Sequence, residues 1–192
     1  MAISRLTETT LQSGFPKFDT FWDGRSAVGS MEPISAITLS ETQSCVEFNN
    51  IPGTYTHLQL RAFLVSGYSA NNQFRLNNDS GTNYTWHQIQ GTGSAVEAYA
   101  SNPTSNPPWG LNSGNSSYPM VSIMDFLDYA NTNKYKTVRT LSGNDGTGTT
   151  ASRVGLYSSV WMNTAAITSI RLTNDFGSTI LANSTFTLYG IK

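Results

Sequence analysis

Alternation of aliphatic and other side chains within the segment His57–Ser66 is the feature that most restricts how this chain can fold. The aliphatic positions are Leu58, Leu60, Ala62 and Leu64, and the intervening positions are His57, Gln59, Arg61 and Phe63. Successive side chains of a β-strand point to opposite faces of a sheet, so a period of two predicts a strand with one buried face. A helix would instead place apolar residues three or four positions apart.

Nine further segments carry shorter β-like runs, separated by turns rich in Gly, Asn and Pro. The predicted strands are Ile34–Leu39, Gln43–Phe48, His57–Ser66, Gln73–Leu76, Asn83–Ile89, Val121–Leu127, Thr137–Leu141, Arg153–Met162, Ile167–Leu172 and Thr185–Ile191. The turn at residues 77–81 predicts an antiparallel hairpin between the strands beside it. Asp128–Thr132 could form a single helical turn. With no βαβ rhythm and no repeat of fixed period, we expect an all-β antiparallel sandwich, jelly-roll-like in topology.

The first 33 residues differ from the rest, because they are turn-rich and aromatic without any clear period. Their aromatic residues are Phe15, Phe18, Phe21 and Trp22. We therefore divide the chain into an N-terminal arm, residues 1–33, and a sandwich domain, residues 34–192. Exposed aromatic side chains are a liability in water, so we expect the arm to pack across the domain or against a neighbouring chain.

A long loop is predicted from Gly91 to Pro119, where four of the seven prolines fall. Loops of this length in compact domains are usually functional or mobile. One interpretation is a surface excursion held down by Trp109 and Tyr118. The other is a contact loop, with the same two residues touching a partner or a glycan. The sequence favours neither.

Composition excludes several functions. Ser, Thr and Asn make up 65 of the 192 residues, whereas charged residues are 12% and the net charge is −1. Lys and Arg are scattered singly, so no basic stripe exists to bind nucleic acid. Neither a signal-peptide core nor an apolar run of membrane length occurs, which predicts synthesis in the cytoplasm and no membrane partner. Cys45 is the single cysteine and is expected to be a small core residue.

A search for catalytic and metal-binding motifs finds none, so we expect neither an enzyme nor a cofactor. His57 and His87 lie in separate strands, and exposed strand histidines are commoner than a two-histidine metal site. Asp125 and Asp128, three apart, would point to opposite faces of a strand, which disfavours a carboxylate pair. Asp125 sits among apolar neighbours and is expected to be buried with a partner. The turn residues Asp79, Asp145 and Asp175 lack the spacing of a calcium loop.

The aromatic residues of the domain leave one binding function open. Six rings could form a platform on which sugars stack: Tyr84, Trp86, Trp109, Tyr118, Tyr157 and Trp161. Aromatic residues also favour strands and interfaces for structural reasons, and the sequence does not separate these alternatives.

Three parts of the chain carry a resemblance to a known family. They are Val46–Arg61, Asp128–Thr137, and Trp161–Ile170 together with Phe186–Lys192. The motifs are Ile-Pro-x-Thr-Tyr-x-His-Leu-Gln from residue 51 and the terminal Leu-Tyr-Gly-Ile from residue 188. The chain resembles, over roughly residues 43–192, small virion structural proteins of tailed bacteriophages of aquatic bacteria. The arm lies outside the shared part.

The resemblance implies a jelly-roll-like sandwich displayed on a phage particle, with no catalytic residues to transfer. Two roles compete. One is a capsid decoration or cement protein, a homo-oligomer favoured as a trimer, whose arm contacts the major capsid protein or other virion proteins. The other is a fibre tip that binds host surface glycans. A chain that starts at Met1 and lacks heptads or shaft repeats favours decoration. We therefore expect location in the virion.

Overall fold

Eleven β-strands make up the part of the chain that the structure describes. The computed structural model describes residues 30–66, 72–111, 118–144, 152–174 and 179–192. The strands are β1 Met31–Thr38, β2 Cys45–Phe48, β3 His57–Leu64, β4 Asn72–Leu76, β5 Tyr84–Gly91, β6 Val96–Thr104, β7 Met120–Leu127, β8 Lys136–Asn144, β9 Arg153–Trp161, β10 Ile170–Asn174 and β11 Thr185–Ile191. No helix occurs within those ranges.

The strands form two sheets of unequal size. The large sheet has eight strands in the order β1-β11-β3-β7-β8-β9-β5-β6, and the small sheet has three in the order β2-β10-β4. Every pairing between neighbouring strands is antiparallel. The fold is therefore an all-β antiparallel sandwich, in which β11 pairs with β3, and β9 with β5, although these strands are far apart in sequence.

The core lies between the sheets, where the alternation predicted from residue 57 onward is confirmed. Leu58, Leu60 and Leu64 of β3 have no exposed surface, whereas Phe63 between them is 41% exposed. The small sheet adds Val46, Phe48, Phe74, Leu76, Ile170 and Leu172 to the same buried cluster. Each such side chain contributes about 1.5–3 kcal/mol when fully buried. The residues of β3 that were predicted from the period of two thus form part of the core between the two sheets.

The prediction that β4 and β5 form a hairpin is wrong. β4 pairs with β10 in the small sheet, and β5 pairs with β9 and β6 in the large sheet. Asn77 and Asn78, which follow β4, both have positive φ angles, 51° and 55°. The Asn77 side chain also donates to Ala166 O at 2.8 Å and accepts from Thr168 N at 2.8 Å. The turn therefore carries the chain from one sheet to the other and is fastened to the β9–β10 connection.

The predicted loop from Gly91 to Pro119 contains a strand, β6, which the sequence analysis missed. β6 is the edge strand of the large sheet, and every one of its residues is exposed or half-exposed. A strand with no fully buried positions shows no apolar alternation, and an edge position tolerates Pro103, which lacks an N–H group. Residues 112–117 of this loop lie outside the described residues.

Two further expectations are corrected at the chain start and after β7. β1 begins at Met31, inside the range predicted to be arm, and residues 1–29 lie outside the described residues. Asp128–Thr132 forms a β-turn and no helical turn. In this turn Asn131 N donates to Asp128 O at 3.0 Å, and Asp128 has a φ angle of 48°.

Two motifs that carried the family resemblance meet at Gly190. The ring of Tyr55 lies over this glycine of β11, and a Cβ atom there would be 2.4 Å from the nearest ring carbons. The Tyr55 hydroxyl donates to Glu32 Oε2 at 3.1 Å, and the Tyr55 backbone N–H donates to the Tyr129 hydroxyl at 3.4 Å. These contacts hold the ring in place, so position 190 has no room for a side chain.

Gly190→Ala should therefore lower the free energy of unfolding by about 1–3 kcal/mol, the usual cost of overpacking. Gly53→Ala is the control, because the nearest atom to a Cβ at that position is 4.0 Å away. Urea denaturation of both variants, and of Gly190→Ala in a Tyr55→Ala background, measures the clash as a coupling energy. If Gly190→Ala lowered the free energy of unfolding equally in both backgrounds, the clash with the Tyr55 ring would not be the cause.

Candidate functional site

The large sheet exposes an apolar surface on the face that points away from the core. We call this surface the outer apolar band. Its large side chains are 39–75% exposed: Phe63, Ile89, Val96, Val121, Ile123, Leu141, Val154 and Leu156. Extended apolar patches on protein surfaces mark interaction sites more often than scattered single residues do.

Strand register makes the outer apolar band continuous. Ile123 pairs with Leu141, Leu141 with Leu156, and Leu156 with Ile89, so one row crosses β7, β8, β9 and β5. The neighbouring row contains Gly143 and Gly91 between valines, which leaves shallow depressions. The band is therefore a continuous apolar surface across β7, β8, β9 and β5, and the exposed Arg61, which pairs with Ile123, bounds its first row on β3.

A row of polar side chains borders the outer apolar band, and Asp125 belongs to this row. This residue is half-buried on the outer face, opposite Gln59 on β3 and Arg139 on β8. Gln59 Nε2 donates to Asp125 Oδ1 at 2.9 Å. The expectation that Asp125 is buried is wrong, since its strand alternation turns it away from the core. An apolar centre with a polar rim is the usual composition of a protein interface.

A groove lies on the opposite face of the large sheet. The eight-stranded sheet extends beyond the three-stranded sheet, so the inner faces of β5 and β6 are left partly uncovered. The groove between this overhang and the β4 edge has a volume of about 560 Å³. Its lining includes Asn72, Trp86, Gln88, Gln90, Tyr99 and Arg153.

A chain of hydrogen bonds fixes the amides and the Tyr99 ring of the groove. Gln88 Nε2 donates to Gln90 Oε1 at 2.5 Å, and Gln90 Nε2 donates to Glu97 Oε2 at 2.6 Å. The Tyr99 hydroxyl donates to the same carboxylate oxygen at 2.9 Å. The bonds from Gln90 and Tyr99 lower the pKa of Glu97, and the positive charge of Arg153 adds to this effect. The carboxylate therefore orients the polar groups of the groove.

Asn72 is the buried polar residue at the floor of the groove. Its side chain is fully buried at the start of β4, and Nδ2 donates to Leu111 O at 2.5 Å. Within the described residues, Asn72 Oδ1 has no hydrogen-bond partner. Leaving a buried oxygen unpaired costs about 1–3 kcal/mol.

The proposed sugar-stacking platform of six rings does not form. Tyr84, Trp109, Tyr157 and Trp161 are at most 2% exposed and belong to the core. Burial raises the pKa of Tyr84 to about 12. Tyr118 is half-buried and does not line the groove, so only Trp86 and the buried Tyr157 belong to it.

Trp109 is fully buried, which favours the first interpretation of its loop. Its backbone N–H donates to Asn72 O at 3.0 Å, and its ring meets Phe186 edge-on at 6.3 Å between ring centres. Ser122 Oγ donates to Trp109 O at 3.1 Å. The residue ties β4, β7 and β11 together, and it offers no surface to a partner.

The remaining predicted residues do not converge. His57 and His87 lie four strands apart, about 19 Å at the usual strand spacing. His57 Nδ1 accepts from Asp128 N at 2.9 Å, and the Asp128 carboxylate pairs with Lys134. That pairing, more than the Coulombic effect of His57, lowers the pKa of Asp128. Within the described ranges no three His, Cys, Asp or Glu side chains form a metal-binding group.

Three other expectations have separate outcomes. Cys45 is half-exposed in β2, at the edge of the small sheet, and is therefore not a core residue. The Asp79 carboxylate accepts a hydrogen bond from Trp161 Nε1 at 2.7 Å, which holds the turn that contains Asp79 in place. The arm residues Phe15, Phe18, Phe21 and Trp22, and the turn residues Asp145 and Asp175, lie outside the described residues.

Most of the groove was not predicted, although its residues follow a pattern in the sequence. Trp86, Gln88 and Gln90 are spaced by two, as are Glu97, Tyr99 and Ser101 on the partner strand. This alternation places polar and aromatic side chains on one face. Without a predicted β6, nothing brought the second set beside the first.

Comparisons with known proteins add no functional information. No family model matches the chain, and no curated protein matches it. One solved structure that was compared is described as "Putative pore-forming toxin from Bacteroides vulgatus ATCC 8482", with 9% identity and a TM-score of 0.08. The alignment covers 75% of this chain and 54% of that chain, so this chain spans about half of its length. A TM-score this low supports no argument. Across the described residues, no helical segment could span a bilayer.

Proposed function

We propose that this protein is a structural component of a tailed-phage virion, a capsid decoration protein that acts as a homo-oligomer. The outer apolar band is the observation that carries the proposal, because extended exposed apolar patches mark sites where another chain binds. The resemblance over residues 43–192 supports the virion location.

A second copy of the chain is the proposed occupant of the outer apolar band. The band itself carries no charge, so two copies can approach without like-charge repulsion. In the proposed trimer, three copies would turn their bands toward a common axis. The arm, residues 1–29, would then remain available to contact the major capsid protein.

Leu141→Glu should convert the oligomer to a monomer, because it places a charge at the centre of the outer apolar band. Sedimentation velocity measures the change. Tyr135→Glu is the matched control, since Tyr135 is 56% exposed in the β7–β8 connection, outside the band. A monomeric wild type, or a Leu141→Glu variant that stays oligomeric, would contradict the proposed interface.

The virion role has its own test. Quantitative gel analysis of purified particles should give hundreds of copies for a decoration protein and a few tens at most for a fibre. Deleting residues 1–29, which leaves β1 intact, should prevent attachment to heads while the β domain stays folded. Decoration by the truncated chain would exclude the arm as the attachment element.

The groove favours a second candidate function. A fibre tip that binds host surface glycans would need a polar, aromatic concavity such as the one beside β5 and β6. Low copy number, with labelling at the tail or at a head fibre, would favour this role over decoration.

A further inference from the structure

The groove between β4, β5, β6 and β9 has the chemistry of a carbohydrate site, and we propose that it binds a neutral oligosaccharide. This inference rests on the groove alone. It applies equally to a protein on the head or on a fibre, and it does not depend on the outer apolar band.

Two aromatic rings provide the stacking surface. Trp86 on β5 is half-buried and lines the groove, and Tyr99 on the adjacent edge strand is 48% exposed. Aromatic rings carry negative charge on their faces, which attracts the weakly positive C–H groups of a sugar ring. The hydrogen bond from Tyr99 to Glu97 holds the ring in place before a ligand arrives. Such preorganisation lowers the entropic cost of binding.

Side-chain amides surround these rings. Gln88 is half-buried in the groove, and its side-chain amide can donate to and accept from sugar hydroxyls. Gln90 and Asn72 are buried, and their hydrogen bonds to Glu97 and to Leu111 O hold the wall of the groove in place. Asn72 Oδ1 is buried beside the groove and out of contact with solvent, so a sugar hydroxyl would reach it only if the Asn72 side chain turned toward the groove.

Charge and size restrict the ligand. Arg153 is the one charged side chain that lines the groove among the described residues, and its charge acts on the nearby Glu97 carboxylate. The opposite charges offset each other, which favours a neutral ligand over an acidic one. A volume of about 560 Å³ is within the range of small-ligand sites and accommodates two or three sugar units.

The test uses the full-length chain on an array of neutral oligosaccharides (maltotriose, chitotriose, lactose and mannotriose) with sialyllactose and a proline-rich peptide as comparators. We expect binding to at least one neutral sugar. Titration calorimetry with that sugar should show at least a tenfold loss of affinity for Trp86→Ala and for Tyr99→Ala. His87→Ala is the matched control, because His87 is adjacent to Trp86 on β5 but points to the outer face.

These variants distinguish a loss of sugar binding from a loss of folding. Tyr99 is on an edge strand and exposed, so its replacement tests the site even if Trp86→Ala impairs folding, which thermal melts reveal. No binding to any neutral sugar, preference for sialyllactose or the peptide, or undiminished binding by the Tyr99→Ala variant would overturn the inference. Leu141→Glu should bind the sugar with unchanged affinity per site, so failure of the assembly proposal would not affect this result.

Discussion

Trp109→Ala is expected to lower the free energy of unfolding by about 3–5 kcal/mol, the cost of removing a large buried aromatic side chain. The indole fills the space where the loop after β6 enters between the two sheets, against Phe186. Its loss would leave a cavity that the rigid strands on either side cannot close. Urea denaturation followed by tyrosine fluorescence or circular dichroism measures the effect.

A matched variant shows whether the loss of stability comes from burial of the indole or simply from removing a tryptophan side chain. Trp86→Ala removes the same indole from a half-exposed position, and we expect less than half the loss of stability. If Trp109→Ala melted like the wild type but no longer bound a partner, the loop would be a contact element and the core role of Trp109 would be wrong.

Local alternation predicted the fold class well because burial on one face imposes a period of two. β3 shows this best, since four of its eight side chains are buried and the others are not. β6 was missed for the converse reason, because an edge strand with no buried face has no such pattern. β1, at the opposite edge of the sheet, also has no fully buried position, but its Ile34 and Ile37 pack against the core, and most of this strand was predicted.

Strand pairing was less predictable, as the turn after β4 shows. Asn77–Gly81 has the composition of a hairpin turn, yet hydrogen bonds from the Asn77 side chain to the β9–β10 connection direct the chain to the other sheet. Those partners lie about ninety residues away. No local pattern contains that information.

The groove was unpredictable for a related reason. Its ring and amide residues come from β4, β5, β6 and β9, and they meet only because the large sheet extends past the small one. Trp86 was recognised as a candidate by residue type, but Tyr157 and Trp161, chosen on the same grounds, are buried. Residue type alone proposed the candidates, and the tertiary structure separates Trp86, which lines the groove, from the rings that are buried in the core.

Lys136→Met should lower the free energy of unfolding by about 2–4 kcal/mol, since it removes a buried ammonium that binds three backbone carbonyls. Lys136 is 1% exposed at the start of β8. Its Nζ donates to Lys134 O at 2.9 Å, to Thr164 O at 3.0 Å and to Asn131 O. Burial lowers the pKa of this ammonium, with Lys134 acting in the same direction. The carbonyls offset that cost and join the β7–β8 turn to the β9–β10 connection.

Methionine keeps the apolar stem of the lysine but has no hydrogen-bond donor. The three carbonyl groups would therefore lose their partner at a place where water cannot easily replace it. Lys134→Met is the control: its ammonium pairs with Asp128 at the surface, where such pairs contribute about 1 kcal/mol or less. Hydrogen exchange should show faster opening of the amides at residues 128–135 and 163–169 in Lys136→Met alone. If this variant were as stable as the wild type, desolvation would outweigh the hydrogen bonds, and Lys136 would not be what joins these two connections.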